Sequence, residues 1–293
     1  DQDVNSELIR VAETIKSAED LSEDEISSGV FYIYYLCDSD AIPELERIHK
    51  FGGIYIPHLR FEKTSYRFIN RLALNALLKT KKKSERISHF GSIVHENICE
   101  ALFLTREIEG DYVEIGVYKG GSALTALYFL DEISKSGLPH AKRKAWLLDT
   151  FDGFTYAEAG KSSDVIWAGT HRLLGPKQTI AYITETFTEV INPYSLIESN
   201  ICAAQLPESI TKIAVANIDV DMYEPTLASL QKISPYMALG GVVICEDAAS
   251  TPGLYGALLA MEEFLKSREG SHYTKIFKGG QYFLIKDRYE SKV

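Results

Sequence analysis

Cationic side chains are in short supply in this chain. Its 31 Lys and Arg stand against 41 Asp and Glu, a formal charge of −10. A nucleic-acid binder needs a basic face to neutralise phosphates, so that class of partner is not expected. Cysteine is scarce too. Cys37, Cys99, Cys202 and Cys245 are scattered without C-x-x-C spacing and read as reduced thiols in or near a core. No apolar run approaches the length of a membrane span. The first residues, Asp1-Gln2-Asp3-Val4, are acidic and polar, unlike a signal peptide, so the expected setting is cytoplasmic. No internal repeat or low-complexity tract is visible. The dinucleotide fingerprint G-x-G-x-x-G is also missing, which counts against the main alternative reading, an NAD(P)-dependent oxidoreductase. What is present is ordinary for a globular protein. Hydrophobic residues make up 45% and charged residues 25% of 293 positions, enough for one large domain plus an appendage.

The stretch Tyr112-Val-Glu-Ile-Gly-Val-Tyr-Lys-Gly-Gly-Ser122 organises the rest. Tyr112–Ile115 reads as a buried strand, Gly116–Gly121 as a glycine turn, and Ser122 opens an apolar helix that Gly137 and Pro139 end. Glycine lets backbone approach a ligand, and a helix start offers free N–H groups. The acidic Glu114 just before the turn would repel a pyrophosphate. It suits a ligand bearing positive charge, and S-adenosylmethionine (SAM), with its sulfonium and ammonium, is such a ligand.

Further strands are expected at 145–149, 194–198, 213–218 and 242–245, with helices between them near 180–190, 206–212 and 225–237. A helix at 254–265 and a glycine-turned hairpin over 274–285 follow. This alternation predicts an α/β fold with an open, mostly parallel, doubly wound sheet and a terminal antiparallel strand. Asp149 falls at a strand end, where an acid can accept from a ribose diol, and Asn200 follows the third strand at the tip facing a nucleoside base. The long aperiodic stretch 150–177 is the candidate lid, with Trp167 and His171 as candidate substrate contacts.

Residues 1–88 read as a separate, mainly helical, substrate-covering extension, and 89–293 as the main domain. Within the extension, 4–15 and 30–36 are expected to be helical. Ser22 and Glu25 have capping-box spacing. Residues 52–58 are expected as a loop or short extended piece, and Lys79–Lys83 as a helix end. A further helix is expected over 87–108.

Asp219 ends the fourth strand, and Glu246 with Asp247 ends the fifth. In a doubly wound sheet these strands are neighbours, so three carboxylates converge on the ligand side. Like charges that close raise one another's pKa, and a hard divalent cation resolves the conflict. An oxygen-only donor set favours Mg²⁺, with Mn²⁺ or Ca²⁺ as substitutes. A hydroxyl acceptor needs activation before it attacks a methyl carbon, and a metal with a nearby carboxylate base provides it. Asp219 as ligand and base together, or Asp221 as base, both fit.

Taken in order, Val113–Ser122, Asp149-Thr-Phe-Asp-Gly-Phe154, Ile218-Asp-Val-Asp-Met-Tyr-Glu-Pro-Thr226 and Gly240-Gly-Val-Val-Ile-Cys-Glu-Asp247 resemble the macrocin O-methyltransferase family of SAM- and Mg²⁺-dependent enzymes. The resemblance implies a Rossmann-like class I methyltransferase that methylates a hydroxyl of a natural product, on a sugar or a polyketide. It implies that Glu114, Gly116, Tyr118 and Ser122 hold the methionine side of SAM, that Asp149 holds the ribose, and that Asp219, Glu246 and Asp247 hold the metal. Glu246-Asp247 stands where the family usually has Asp-Asp, as in the related cephalosporin-hydroxylase/methyltransferase group. The expected partner is a small-molecule hydroxyl acceptor, and a homodimer or a place within a larger synthase is compatible with the sequence. A non-catalytic SAM-binding protein is the second alternative.

Overall fold

The computed structural model describes residues 20–33, 46–57, 70–87, 92–162, 164–250 and 255–287. The chain divides into two compact units, Asp1–Lys63 and Thr64–Val293.

In the smaller unit, helix α1 (Glu23–Ser28) starts at a capping box. The Glu25 amide donates to Ser22 Oγ at 3.3 Å, and the Ser22 amide donates to Glu25 Oε2 at 2.8 Å. Strands β1 (Val30–Ile33) and β2 (Ile54–Pro57) pair in parallel. The run from Val30 is therefore a strand where a helix was expected. It is rich in β-branched and aromatic residues, and a run this short carries no period that separates a buried helix from a strand. The rest of that run, 34–36, and the helix expected at 4–15 lie outside the described residues.

The larger unit is built on a seven-stranded sheet. Its strands are β3 (Asp111–Ile115), β4 (Ala145–Asp149), β5 (Tyr194–Glu198), β6 (Ile213–Ile218), β7 (Met237–Cys245), β8 (Tyr273–Lys278) and β9 (Gln281–Lys286). Their spatial order is β5-β4-β3-β6-β7-β9-β8. All neighbours are parallel except at β9, which runs antiparallel to both β7 and β8. The helices are α2 (Arg71–Lys81), α3 (Ser92–Leu104), α4 (Gly121–Lys135), α5 (Pro176–Thr186), α6 (Tyr223–Ile233), the short α7 (Asp247–Ser250) and α8 (Tyr255–Lys266).

Both faces of the sheet are covered, and the period of two along each strand divides the core. Tyr112, Leu147, Val215, Val242 and Ile244 join a cluster with Leu102, Leu124, Leu127 and Phe129. Val113, Ile115, Leu148, Ala216, Ile218 and Val243 join another with Leu230, Ile233, Met261 and Phe264. Helix α2, expected within the N-terminal extension, instead ties into α4 of the larger unit, where Lys79 Nζ meets Glu132 Oε1 at 2.6 Å.

Several boundaries differ from expectation. Helix α5 begins at Pro176, which tolerates the first helical position, and ends at Thr186, four residues early. Helix α6 ends at Ile233 because Pro235 follows, and β7 runs through Gly240-Gly241 from Met237. No helix forms over 206–212 among the described residues. Pro207 breaks that stretch, and the Ile210 amide closes a turn on the Pro207 carbonyl at 2.9 Å.

Candidate active site

The order of strands reverses at β3, with β4 on one side and β6 on the other. In an open parallel sheet, that reversal opens a crevice at the carboxyl ends of the strands. A cavity of about 400 Å³ lies there. Its walls include Gly116, Tyr118, Ser122, Asp149, Asn200, Asp219, Asp221, Glu246 and Asp247, as well as Trp167 and His171. Every site residue singled out from the sequence is thus brought to one cavity except Glu114. That residue is fully buried beneath the glycine turn, accepting from Ser122 Oγ at 2.6 Å and from the Tyr112 hydroxyl.

Gly116 has φ +91°, and a Cβ there would overlap the Asp219 carbonyl oxygen. Glycine is required at that position both for its left-handed backbone and for the close approach of two strand tips. The turn is held from the β4 side by Asp149. Its Oδ2 accepts from the Val117 and Tyr118 amides at 2.6 and 2.8 Å, and its Oδ1 accepts from the Phe151 amide at 2.7 Å. Asn200 closes a local turn by accepting from the Cys202 amide at 3.0 Å, and its Nδ2 donates to Glu158 at 3.2 Å.

Among the described residues, the non-glycine positions with left-handed backbone are Tyr118, Phe151, His171 and Asp221, with φ between 49° and 60°. All four line the cavity. Such conformations cost about 1–3 kcal/mol each and persist where the surroundings enforce them, commonly at functional sites.

Asp219, Glu246 and Asp247 follow the ends of β6 and β7 and offer carboxylate oxygens that all lie within 4.8 Å of one another. The β6–β7 register sets this up, since Ile218 pairs with Cys245, Asp219 and Glu246 follow directly, and Asp247 comes one residue later. The Glu246 amide then donates to the Ile218 carbonyl at 3.0 Å, and the Asp221 amide donates to Asp247 Oδ2 at 2.9 Å.

The family model of the macrocin O-methyltransferases (TylF) matches residues 84–272, spanning β3 to α8 and every residue of the cavity. The chain belongs to this family.

Relatives of this chain include the 8-demethyl-8-(2,3-dimethoxy-alpha-L-rhamnosyl)-tetracenomycin-C 4'-O-methyltransferase of Streptomyces olivaceus. It is 28% identical over 158 residues, which cover 52% of this chain and 58% of that protein. The demethyldecarbamoylnovobiocin O-methyltransferase of Streptomyces niveus is 28% identical over 167 residues, covering 54% of this chain and 60% of that one. The matched stretch therefore spans less than two thirds of either relative. Among solved structures, the O-methyltransferase NovP superposes with a TM-score of 0.55 at 17% identity, over 74% of this chain and 98% of NovP. CalS11, a calicheamicin methyltransferase, gives 0.51 at 18% identity, over 80% of this chain and 98% of CalS11. At that identity the likeness shows the fold, a class I methyltransferase sheet with antiparallel C-terminal strands.

In this cavity the acids are electrostatically crowded. Burial, then the charge of Glu246 and of Asp247, holds the Asp219 carboxyl well above the usual range. Asp219 itself is half-buried and lines the cavity. Burial and then Glu246 do the same to Asp247, and burial and then Asp247 push Asp221 up to about 8, against a lowering pull from His171. Three carboxylate donors in a desolvated cluster fit a hard divalent cation, whose charge would return them to the ionised form. Glu114 is pushed up to about 7, mainly by burial.

The cavity wall also contains Val94 and His95 of α3, Lys119, Phe154, Tyr156 and Leu173. His95 is buried, with Nδ1 at 2.5 Å from Thr125 Oγ1 on α4. Lys119 and Phe154 lie within the motif stretches without having been singled out, and no motif marks Val94, His95, Tyr156 or Leu173. Their place follows from how α3 packs on α4 and how the loop after β4 folds back. In that loop the His171 ring contacts Phe154 at 5.1 Å and Tyr118 at 5.7 Å between centroids.

Proposed function

We propose that this protein transfers a methyl group from SAM to a hydroxyl of a natural product, assisted by a divalent cation, Mg²⁺ in the first place and Mn²⁺ as a substitute. The observation that carries the reading is the meeting of Asp219, Glu246 and Asp247 within 4.8 Å in the same cavity as the glycine turn. Family membership and the O-methyltransferase activities of the two Streptomyces relatives support it.

Asp219, Glu246 and Asp247 would hold the metal. When bound, SAM supplies the methyl group and the cation acidifies the acceptor hydroxyl. The chain's own residues do the rest. The turn from Gly116 and the first turn of α4 bring backbone N–H groups to the methionine end, with Tyr118 and Ser122 beside them. Glu114 acts through Ser122, fixing its hydroxyl. Asp149 braces the turn and faces the ribose, and Asn200 lies toward the base. Asp221 or Asp219 takes the acceptor proton, since both carboxylates line the cavity at the acid cluster. The aromatic wall of Phe154, Tyr156 and Trp167 excludes water and offers flat surface to an organic acceptor.

Titration calorimetry with SAM, with and without Mg²⁺, tests the reading, using NADH as the control ligand. Saturable SAM binding and a separate Mg²⁺ heat that EDTA abolishes are expected. Binding of NADH in place of SAM would overturn it.

A further inference from the structure

The loop between β4 and α5 folds back on itself. The Phe154 amide donates to the Thr170 carbonyl at 3.2 Å, and the Gly169 amide donates to the Phe154 carbonyl at 2.8 Å, so the two arms of the loop pair at its base. Among its described residues, two charged side chains touch the body of the domain: Glu158, which accepts from Asn200 Nδ2 at 3.2 Å, and Asp164 farther along the loop. Asp164 Oδ2 accepts from the Tyr223 amide at 2.8 Å. Tyr223 is the first residue of α6, and the residue before it, Met222, provides no side-chain cap. Asp164 thus caps a helix from a distance of some sixty positions in sequence, satisfying an orphan N–H and placing negative charge at the positive end of the helix dipole.

A second observation independently marks the same contact. Gly256, in the first turn of α8, leaves the space in which the Asp164 carboxylate sits, and a Cβ there would overlap the carboxylate itself. The Tyr223 hydroxyl donates to Glu263 of α8, so loop, α6 and α8 meet at one point. This junction lies next to the cavity on both sides. Asp221 and Met222 precede Tyr223 directly. Trp167, three residues beyond Asp164, is a wall residue whose amide donates to the Asp164 carbonyl at 2.9 Å.

We propose that Asp164 is a positioning residue, a latch that pins the loop after β4 against the start of α6 and so holds Trp167 and His171 in the cavity wall over bound SAM. The latch contacts neither the cofactor nor the acid cluster. It acts through Trp167 on one side and through the 219–223 turn on the other. Its consequence for SAM rests on the cofactor reading given above, whereas its consequence for Trp167 does not.

The chain has two tryptophans, and Trp146 is buried, so acrylamide quenching of fluorescence reports chiefly on Trp167. Three variants of the full chain separate the outcomes: Asp164→Ala, Asp164→Asn and Gly256→Ala. Gly256→Ala keeps the carboxylate but fills its seat, and alanine is the better helix former, so loss of the latch there is not loss of α8. Quenching is expected to rise about twofold or more in Asp164→Ala and Gly256→Ala, and SAM dissociation by stopped flow to quicken about tenfold, since losing a closing contact acts mainly on the off-rate. Asp164→Asn, whose amide oxygen can still accept from the Tyr223 amide, is expected to stay close to the parent in both. Unchanged quenching in Asp164→Ala, or an Asn variant as open as the Ala variant, overturns the latch. Failure of the parent protein to bind SAM would defeat the cofactor reading instead, and the quenching series would still decide the latch.

Discussion

Asp219 is the residue on which the proposed chemistry turns. It belongs to the acid cluster, contributes a carbonyl oxygen that packs on Gly116, and lines the cavity. Asp219→Ala removes one of three donors while leaving the glycine turn untouched. Divalent-cation affinity by calorimetry is expected to fall at least about a hundredfold, in line with loss of a ligand from a small oxygen site, with SAM affinity within a few fold of the parent. Asp149 answers to different physics. Three backbone amides already converge on its carboxylate, so Asp149→Ala loses the brace of the turn together with any contact to ribose. SAM binding is expected to weaken by about 1–3 kcal/mol, the scale of a lost hydrogen bond to a charged group, and thermal stability is expected to drop in the same variant even without SAM. An unchanged melting temperature would contradict the bracing role.

At the scale of elements, the junction of β3 with α4 tolerates little change. Gly116 combines φ +91° with a backbone neighbour across β6 that leaves no room for a side chain. Gly116→Ala is expected to destabilise the protein by roughly 1–3 kcal/mol from backbone strain alone, with the overlap on Asp219 added to it, as measured by urea unfolding. Strand spans were legible from short apolar runs. Ile213–Ile218 is buried throughout and forms as its apolar and β-branched residues indicate, and the edge strand Tyr194–Glu198, half-buried to exposed, forms over its expected span as well. Helix boundaries were less so, because turns and prolines trim them. The expected helix over 206–212 gives way to a turn at Pro207, and Val30–Ile33 becomes a strand through pairing with Ile54–Pro57. A pairing partner more than twenty residues away leaves no mark on a local period.

For the molecule as a whole, Glu114 links the buried face of the sheet to solution pH. Its folded pKa of about 7 lies above the ordinary 4.5. Between those values the folded protein keeps a proton that the unfolded chain has released, so this residue's contribution to stability falls as pH rises and is fully unfavourable above pH 7. The total is about 3 kcal/mol by linkage. Glu114→Gln keeps the neutral shape, so its stability relative to the parent is expected to rise steadily between pH 4.5 and 7 in denaturant titrations. A flat difference would mean that the buried carboxyl is ionised throughout. The proposed cation site would act on the same global scale. Millimolar Mg²⁺ is expected to raise the melting temperature by several degrees and EDTA to reverse it, because a ligand that binds only the folded state stabilises it by mass action. The sequence by itself determined the alternation of strands and helices, the glycine turn and the acids at the strand ends, since each depends on residues a few positions apart. Only the tertiary structure decided that Glu114 lies under the turn rather than in the cavity, that Asp149 grips backbone amides, and that Asp164 reaches Tyr223 and the hollow at Gly256. Those contacts join residues on different elements, and their geometry exists only once the two faces of the sheet are covered.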